Sequence, residues 1–243
     1  PNPGRWWDLV QDYQVTMLFT APTAVRTMMA EGDDVVNSRD LGSLRLLGVA
    51  GEPISPDAWL WYHDVVGKKR CPVVDTWWQT ETAGIGLGPI PGVQALKPGS
   101  ATTPLPGVEM ALADTQGRIL KGPAEGGLCI VRSWPGQART IWGDHERFRQ
   151  TYFCTAPGMY FTGDGAKRDA EGYYWITGRM DDVINIAGHR LGTAEVEDVL
   201  AEDHRIVECA AVGIPHGVKG EAVVVFVIPR KDSATELTES GIS

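Results

Sequence analysis

Cys71-Pro72-Val73-Val74 runs directly into Asp75-Thr76-Trp77-Trp78-Gln79-Thr80-Glu81, and Ala83-Gly84-Ile85-Gly86 follows. The apolar run reads as a buried strand. The next stretch, with a carboxylate at each end and two adjacent tryptophans, reads as a polar, aromatic-walled loop at the strand's carboxyl end. In open α/β sheets ligands sit at that end. Upstream, Val15 to Thr20 and Leu44 to Val49 are apolar runs of strand length. Ala21-Pro22-Thr23 opens a helix to about Ala30. Ser55 and Pro56 supply a cap and a first helical position for a helix to Val66, which Gly67 stops. Strand, helix, strand, helix, strand predicts a parallel sheet with helices on its faces over residues 1–88.

Residues 89–179 change character. Prolines and glycines recur between short apolar runs such as Val108 to Leu112, Leu128 to Val131 and Tyr173 to Ile176, which predicts a β-rich subdomain of hairpins. From Met180 the pattern is α+β: strands at Val183 to Ile186, Val207 to Ile214 and Glu221 to Ile228, and a helix capped by Thr193 that runs to about Ala201. The chain opens on Pro1 in what reads as mid-helix and closes on a polar tail, so it is expected to be a piece of a longer protein.

Composition narrows the function. A net charge of −9 over 243 residues argues against nucleic acid as a partner, because such proteins carry basic patches. No apolar run approaches the roughly 20 residues of a membrane span. The four cysteines form no CxxC pair, and three have apolar or aromatic neighbours, which points to buried thiols in a reducing, cytoplasmic compartment. The five histidines and the cysteines show no zinc-ligand spacing. Gly67-Lys68-Lys69 completes no phosphate loop, Pro89 occupies the third glycine position a dinucleotide fold needs after Gly84 and Gly86, and no GxSxG elbow is present.

Several residues carry two readings each. Asp164, between Gly163 and Gly165 after an aromatic strand, is either part of a tight turn, the commoner use, or an acceptor for a sugar diol. Arg179 can clamp ribose or phosphate oxygens, or pair with Asp181 or Asp182 at the surface. Asn185 to Gly192 reads as a glycine-bracketed loop in which Arg190 can meet phosphate. Gly51-Glu52-Pro53 is a turn that either faces an adenine or only joins strand to helix. Glu81 either holds Mg²⁺ or marks a helix start. One of Trp77 and Trp78 is expected to be core.

Order and spacing decide more than any single motif. GEP at 51–53, DTWWQTET at 75–82, YFTGDGAKRD at 160–169 and the run from Gly172 to Glu197 together resemble the AMP-forming acetyl-CoA synthetases of the adenylate-forming superfamily. FTAPTAVRTMM (19–29), KPGSAT (97–102), GDHERF (143–148) and GIPHGVKGEA (213–222) extend the likeness from about Trp6 to Ile228. The resemblance implies an α/β fold. Residues 1–179 would be the closing part of the large AMP-binding domain, with a parallel-sheet layer over 1–88 and a β-rich subdomain over 89–179. Residues 180–243 would be a truncated C-terminal α+β domain.

The resemblance also implies the chemistry: acetate and ATP give acetyl-AMP and pyrophosphate, and the CoA thiol then displaces AMP. Gly51, Glu52, Pro53, Asp75, Thr76, Trp77, Trp78, Gln79 and Thr80 would line the adenine and α-phosphate. Asp164 would hold the ribose hydroxyls, Arg179 would bond ribose, and Arg190 would meet phosphate. Glu81 would partner Mg²⁺, and Asp181 would be the hinge of the C-terminal module. Trp78 would shorten the acyl pocket to acetate size, with Ala50, where valine is common in the family, leaving room for propionate. Ala187, in place of a frequent serine, and Gly188 would contact CoA. Ala201, Asp203 and Ile206 would occupy a second cation position, although Asp203 replaces a frequent histidine. The family's phosphate loop would precede Pro1 and its lysine would follow Ser243, so this chain by itself is expected to form little acyl-adenylate. Two alternatives stand beside this reading: a propionyl- or other short-acyl-CoA synthetase, and a nucleotide-binding module without chemistry.

Overall fold

The computed structural model describes residues 2–186, 189–201, 203, 205–216 and 220–230. Its first layer contains α1 (Arg5–Asp12), β1 (Met17–Thr20), α2 (Pro22–Ala30), a short α3 (Asp33–Asn37), β2 (Leu46–Ala50), α4 (Pro56–Trp61) and β3 (Val73–Thr76). The three strands form a parallel sheet in the order β1-β2-β3. Thr20 pairs with Val49 and Ala50 with Thr76, so the carboxyl ends of all three strands reach one edge.

Local chemistry explains each element. β2 reads Leu-Leu-Gly-Val-Ala and is almost fully buried, as a strand covered on both faces must be. The Ser55 hydroxyl accepts from the Ala58 N–H and Pro56 opens α4, as expected from the sequence. The helix tightens no further but widens into a π-turn at Tyr62–Val66 before Gly67 ends it. Trp7, Val25, Leu44, Leu47, Tyr62 and Val73 fill this core. Outside it, edge strand β1 leaves Met17 and Phe19 more than half exposed.

The second layer is an antiparallel five-stranded sheet in the order β5-β4-β6-β7-β8, built from β4 (Met110–Ala113), β5 (Ile119–Leu120), β6 (Ala124–Ile130), β7 (Tyr160–Arg168) and β8 (Tyr174–Arg179). Its core contains Leu87, Leu112, Leu128, Ile130 and Tyr160, and Trp77 belongs to it. Trp77 pairs its backbone with Leu87, which stitches the loop after β3 onto the second layer.

This second layer departs from the sequence reading at one helix and at Asp164. The stretch 89–179 is not all strand and turn: α5 (His145–Phe153) interrupts it, with the Asp144 carboxylate accepting from Arg147 N–H as its cap. Asp164 is not in a turn, because β7 runs straight through it, and the glycines serve register shifts of the ladder at Gly127 and Gly165.

The C-terminal module is a four-stranded sheet, β10-β9-β12-β11, packed against α6 (Thr193–Ala201). Its strands are β9 (Val183–Ile186), β10 (His189–Gly192), β11 (Ile206–His216) and β12 (Gly220–Pro229). The glycine-bracketed stretch expected as a loop is a hairpin, with Asn185 paired to Arg190. Thr193 is the first residue of α6 and not its cap. Cys71 and Cys129 are buried free thiols, whereas Cys154 is exposed.

Candidate nucleotide site

The edge where β2 and β3 end opens onto a cleft of about 260 Å³. Gly51, Glu52 and Pro53 form one wall and Asp75, Thr76, Trp77, Trp78 and Gln79 another. Asp164 and Arg179, with Gly99, Ala101, Ile176 and Gly178, close the far side. Segments up to 128 residues apart in sequence thus share one concave surface. Gly51 adopts φ +100, a backbone state open to glycine and strained for other residues, so the turn after β2 depends on it. Ala50 is buried one residue before the lining begins. Thr80 is exposed, outside the lining.

Sheet register sets the polar centre. Asp164 on β7 lies directly opposite Arg179 on β8. The Asp164 side chain is only 10% exposed, and its Oδ2 accepts from the indole Nε1 of Trp77 at 2.9 Å and from Gln79 Nε2 at 2.8 Å. Among the described residues Oδ1 has only Arg179 Nη1, at 3.4 Å. One carboxylate oxygen is therefore committed to the protein while the other keeps acceptor capacity. Burial pushes the Asp164 carboxyl above the usual range, opposed by its Trp77, Arg179 and Gln79 partners. Gly163, at φ +77, allows the guanidinium to lie close: a Cβ there would sit 2.9 Å from Arg179 Nη2.

Arg179 divides its fork. Nε and Nη2 bind both oxygens of Asp181 at 2.9 and 3.1 Å, which is the surface pair among the two readings of this residue, while Nη1 reaches Asp164 at 3.4 Å. Of the two tryptophans, Trp77 is the buried one and Trp78 is 46% exposed along the cleft. Glu52 turns outward, and its Oε2 accepts from Thr23 at 2.6 Å and Arg26 at 3.1 Å, tying the turn to α2.

Asp75 is 6% exposed, and among the described residues no donor reaches its carboxylate. Burial pushes it up to about 7. The sign follows: the folded chain binds this proton more tightly than the unfolded chain, so stability present below about pH 4 declines as pH rises through 7. Between pH 5 and pH 8 this group is expected to remove about 2–3 kcal/mol. Thermal unfolding of Asp75→Asn should lack that slope; an unchanged slope would assign the pH dependence to another group.

A second cavity of about 470 Å³ adjoins the first and shares Gln79 and Arg179 with it. Glu81 and Asp181 line it, together with Tyr152, Thr151, Thr162 and Gly163. Glu81 lies in a 3-10 turn, Thr80–Thr82, and its Oε1 accepts from the Tyr152 hydroxyl at 2.7 Å. Sequence reading missed Tyr152 because α5 was not expected. It also missed Tyr160 and Thr162, although the aromatic strand holding Tyr160 was visible.

The remaining candidates separate from this centre. Ala201, Asp203 and Ile206 line a different cleft, beside Arg26 and Arg230. Both Asp203 oxygens are engaged by Arg205, at 3.0 and 2.6 Å. Asp57 also lines this cleft, but pairing with Arg205 leaves the Asp203 carboxylate compensated, which disfavours a cation on it. Ala187 and Gly188 lie outside the described residues, and of Arg190 only the backbone, in β10, is described. Among the described residues no helix is long and apolar enough to cross a membrane.

A parallel-sheet edge, a backbone turn and a carboxylate facing an arginine across two strands define a nucleotide-binding α/β architecture, and comparison with known proteins agrees. The chain belongs to the AMP-binding enzyme family, whose model matches residues 1–142, and the model of the AMP-binding enzyme C-terminal domain matches residues 195–242. Among curated relatives, it is 60% identical to an acetyl-coenzyme A synthetase of Caulobacter vibrioides and 57% identical to one of Photobacterium profundum. In each case the match covers 93% of this chain and 35% of the relative. The chain therefore spans about a third of the length of the relatives it matches. It also resembles the crystal structure of the anthranilate CoA ligase AuaEII in complex with anthranoyl-AMP, with a TM-score of 0.82 and 27% identity over 98% of this chain and 44% of that one.

Proposed function

We propose that this chain carries the adenylate side of an acetate-activating site, within a protein that converts acetate, ATP and CoA into acetyl-CoA, AMP and pyrophosphate. The observation that carries the reading is the pairing of Asp164 and Arg179 at the floor of a cleft walled by Gly51–Pro53 and Asp75–Gln79.

In the first half-reaction an acetate oxygen forms a bond to the α-phosphorus of ATP, and the bond to pyrophosphate breaks. Adenine is assigned to the Gly51–Pro53 wall, where the Asp75 carboxyl offers its carbonyl oxygen as an acceptor to an amino group in either protonation state. Asp164 Oδ1 accepts from a ribose hydroxyl while Arg179 donates to the ribose. These contacts fix the α-phosphate relative to the acid, so much of the catalysis is positioning. Trp78 bounds the acyl end, and the small Ala50, buried at the end of β2, is the reason propionate is kept as the alternative substrate. In the second half-reaction the CoA sulfur bonds to the acyl carbon, the acyl–phosphate bond breaks, and AMP leaves. Residues 180–243 are read as a module that pivots at Asp181 between the two steps, bringing Ala187 and Gly188 to CoA and Arg190 to phosphate.

Glu81 presents one hard carboxylate oxygen beyond the one Tyr152 occupies, which fits Mg²⁺, an ion held by one or two carboxylates with the remainder from phosphates and water. When bound there it would supply neutralisation of phosphate charge. The buried thiols Cys71 and Cys129 suit a reducing, cytoplasmic setting.

Calorimetry with AMP and 2′-deoxy-AMP tests the reading. AMP is expected to bind, and loss of one ribose hydroxyl to weaken binding by about 10-fold, as for a hydrogen bond to a charged group. No AMP binding, or equal affinity for the two, would contradict it.

A further inference from the structure

We propose that the stacked rings of Tyr152 and Tyr160 form a two-armed positioning device for this site. Tyr152 aims Glu81 toward the phosphates, and Tyr160 aims Gln79, and through it Asp164, toward the ribose. The inference rests on the function proposed above.

The rings, one on α5 and one on β7, lie parallel at 4.9 Å with an interplanar angle of 11°. Stacking places their hydroxyls side by side, facing two residues of a single loop. The Tyr152 hydroxyl donates to Glu81 Oε1 at 2.7 Å and the Tyr160 hydroxyl donates to Gln79 Oε1 at 3.1 Å. The Gln79 Nε2, a donor only, gives its two hydrogens to Asp164 Oδ2 and to the Thr162 carbonyl, both at 2.8 Å. The two acceptor-only groups fix which way the amide points and the Tyr160 phenol holds its oxygen in place, while the amide and the Trp77 indole together commit Asp164 Oδ2 and leave Oδ1 open.

The pair is itself held. Trp134 meets Tyr160 edge-on at 5.3 Å, and Phe148 packs on Tyr152 at 5.4 Å. Trp134 also donates its indole N–H to the Thr82 carbonyl at 2.9 Å, so the loop Gln79–Thr82 receives three donors from one aromatic cluster. The Tyr152 phenol is pushed up to about 12, first by burial and then by Glu81, and so remains a donor across the working pH range. A tyrosine pair serving only to fill space would have no need to place both hydroxyls on polar atoms of the same loop.

Tyr152→Phe keeps the ring and removes only the donor. The probes are AMP alone, and Mn²⁺ with a non-hydrolysable ATP analogue, followed by calorimetry and by the electron paramagnetic resonance of free Mn²⁺. Tyr152→Phe is expected to weaken the Mn²⁺ complex by about 10-fold while AMP affinity stays within about two-fold, and Tyr160→Phe to weaken AMP itself by about 5- to 10-fold. In a Glu81→Gln background, Tyr152→Phe should add no further loss. Equal weakening of both probes, in step with a fall in melting temperature, would reduce the pair to packing and overturn the proposal. Should Tyr152→Phe fail to fold, Glu81→Gln must show the selective Mn²⁺ loss by itself, and unchanged Mn²⁺ affinity overturns the proposal. A wild-type chain that binds neither probe overturns the underlying function as well. One that binds both, with Tyr152→Phe unchanged, overturns the positioning role alone.

Discussion

Asp164→Ala is expected to reduce AMP binding by about 100-fold or more and to lower stability by about 2–4 kcal/mol. The two effects have separate origins. Binding falls because Oδ1, the oxygen left open beside Arg179, is lost as a ribose acceptor. Stability falls because the Trp77 indole N–H and the Gln79 amide N–H both end on Oδ2, and alanine leaves two buried donors without an acceptor. Asp164→Asn separates the effects. An amide keeps the shape but has one oxygen, which can serve either the Trp77–Gln79 donors or the ribose, so binding should drop by about 10-fold or more with a smaller loss of stability. Calorimetry with AMP and thermal unfolding on the same preparations check both. If Asp164→Ala bound AMP as tightly as the wild type, the carboxylate would not read ribose.

Trp77→Ala should lower stability by about 3–5 kcal/mol, the range for emptying a buried aromatic site. A domain is typically stable by only about 5–15 kcal/mol, so this variant stands at the limit of folding. Trp77 is 7% exposed, packs in the core of the antiparallel sheet and pairs its backbone with Leu87. It is the residue at which the chain passes from the parallel layer to the β-rich layer. Trp77→Phe is the informative companion: most of the ring remains while the N–H to Asp164 is lost. It should fold with a loss of about 1–2 kcal/mol and bind AMP more weakly, because Oδ2 then has one donor fewer holding it in place. Chemical denaturation of both variants measures this. A Trp77→Ala protein with wild-type stability would show that the two layers do not depend on this junction.

Much of this was legible in the sequence, for identifiable reasons. The apolar run ending at Asp75, the Ser55–Pro56 cap and the uninterrupted burial of β2 are local signals, and the parallel layer follows from them. The residues lining the cleft from Gly51 to Gln79 lie just past strand ends, where open sheets place their sites.

What was hidden is non-local. In α5, His-Glu-Arg-Phe-Arg-Gln-Thr-Tyr-Phe buries only Phe148 completely, so its apolar stripe is weak against many charges, and Tyr152 meets a residue 71 positions earlier. Thr162-Gly163-Asp164-Gly165 reads locally as a turn because glycine beside aspartate usually is one. Pairing with β6 and β8 keeps it extended, and the glycines supply a positive φ and room for Arg179. The hairpin of β9 and β10 was obscured in the same way, because Gly192, which reads as loop, is the last residue of β10 and pairs with Val183. Trp77 and Trp78 are indistinguishable as a pair of letters, and only the ladder to Leu87 turns the first inward.

The most direct test of the shared adenylate site is a crystal structure of this chain soaked with AMP. The expected result is adenine against Gly51–Pro53 and Asp75, with the ribose hydroxyls hydrogen-bonded to Asp164 Oδ1 and Arg179. A nucleotide bound elsewhere, or one in this cleft with its ribose beyond hydrogen-bonding reach of Asp164, would contradict the account.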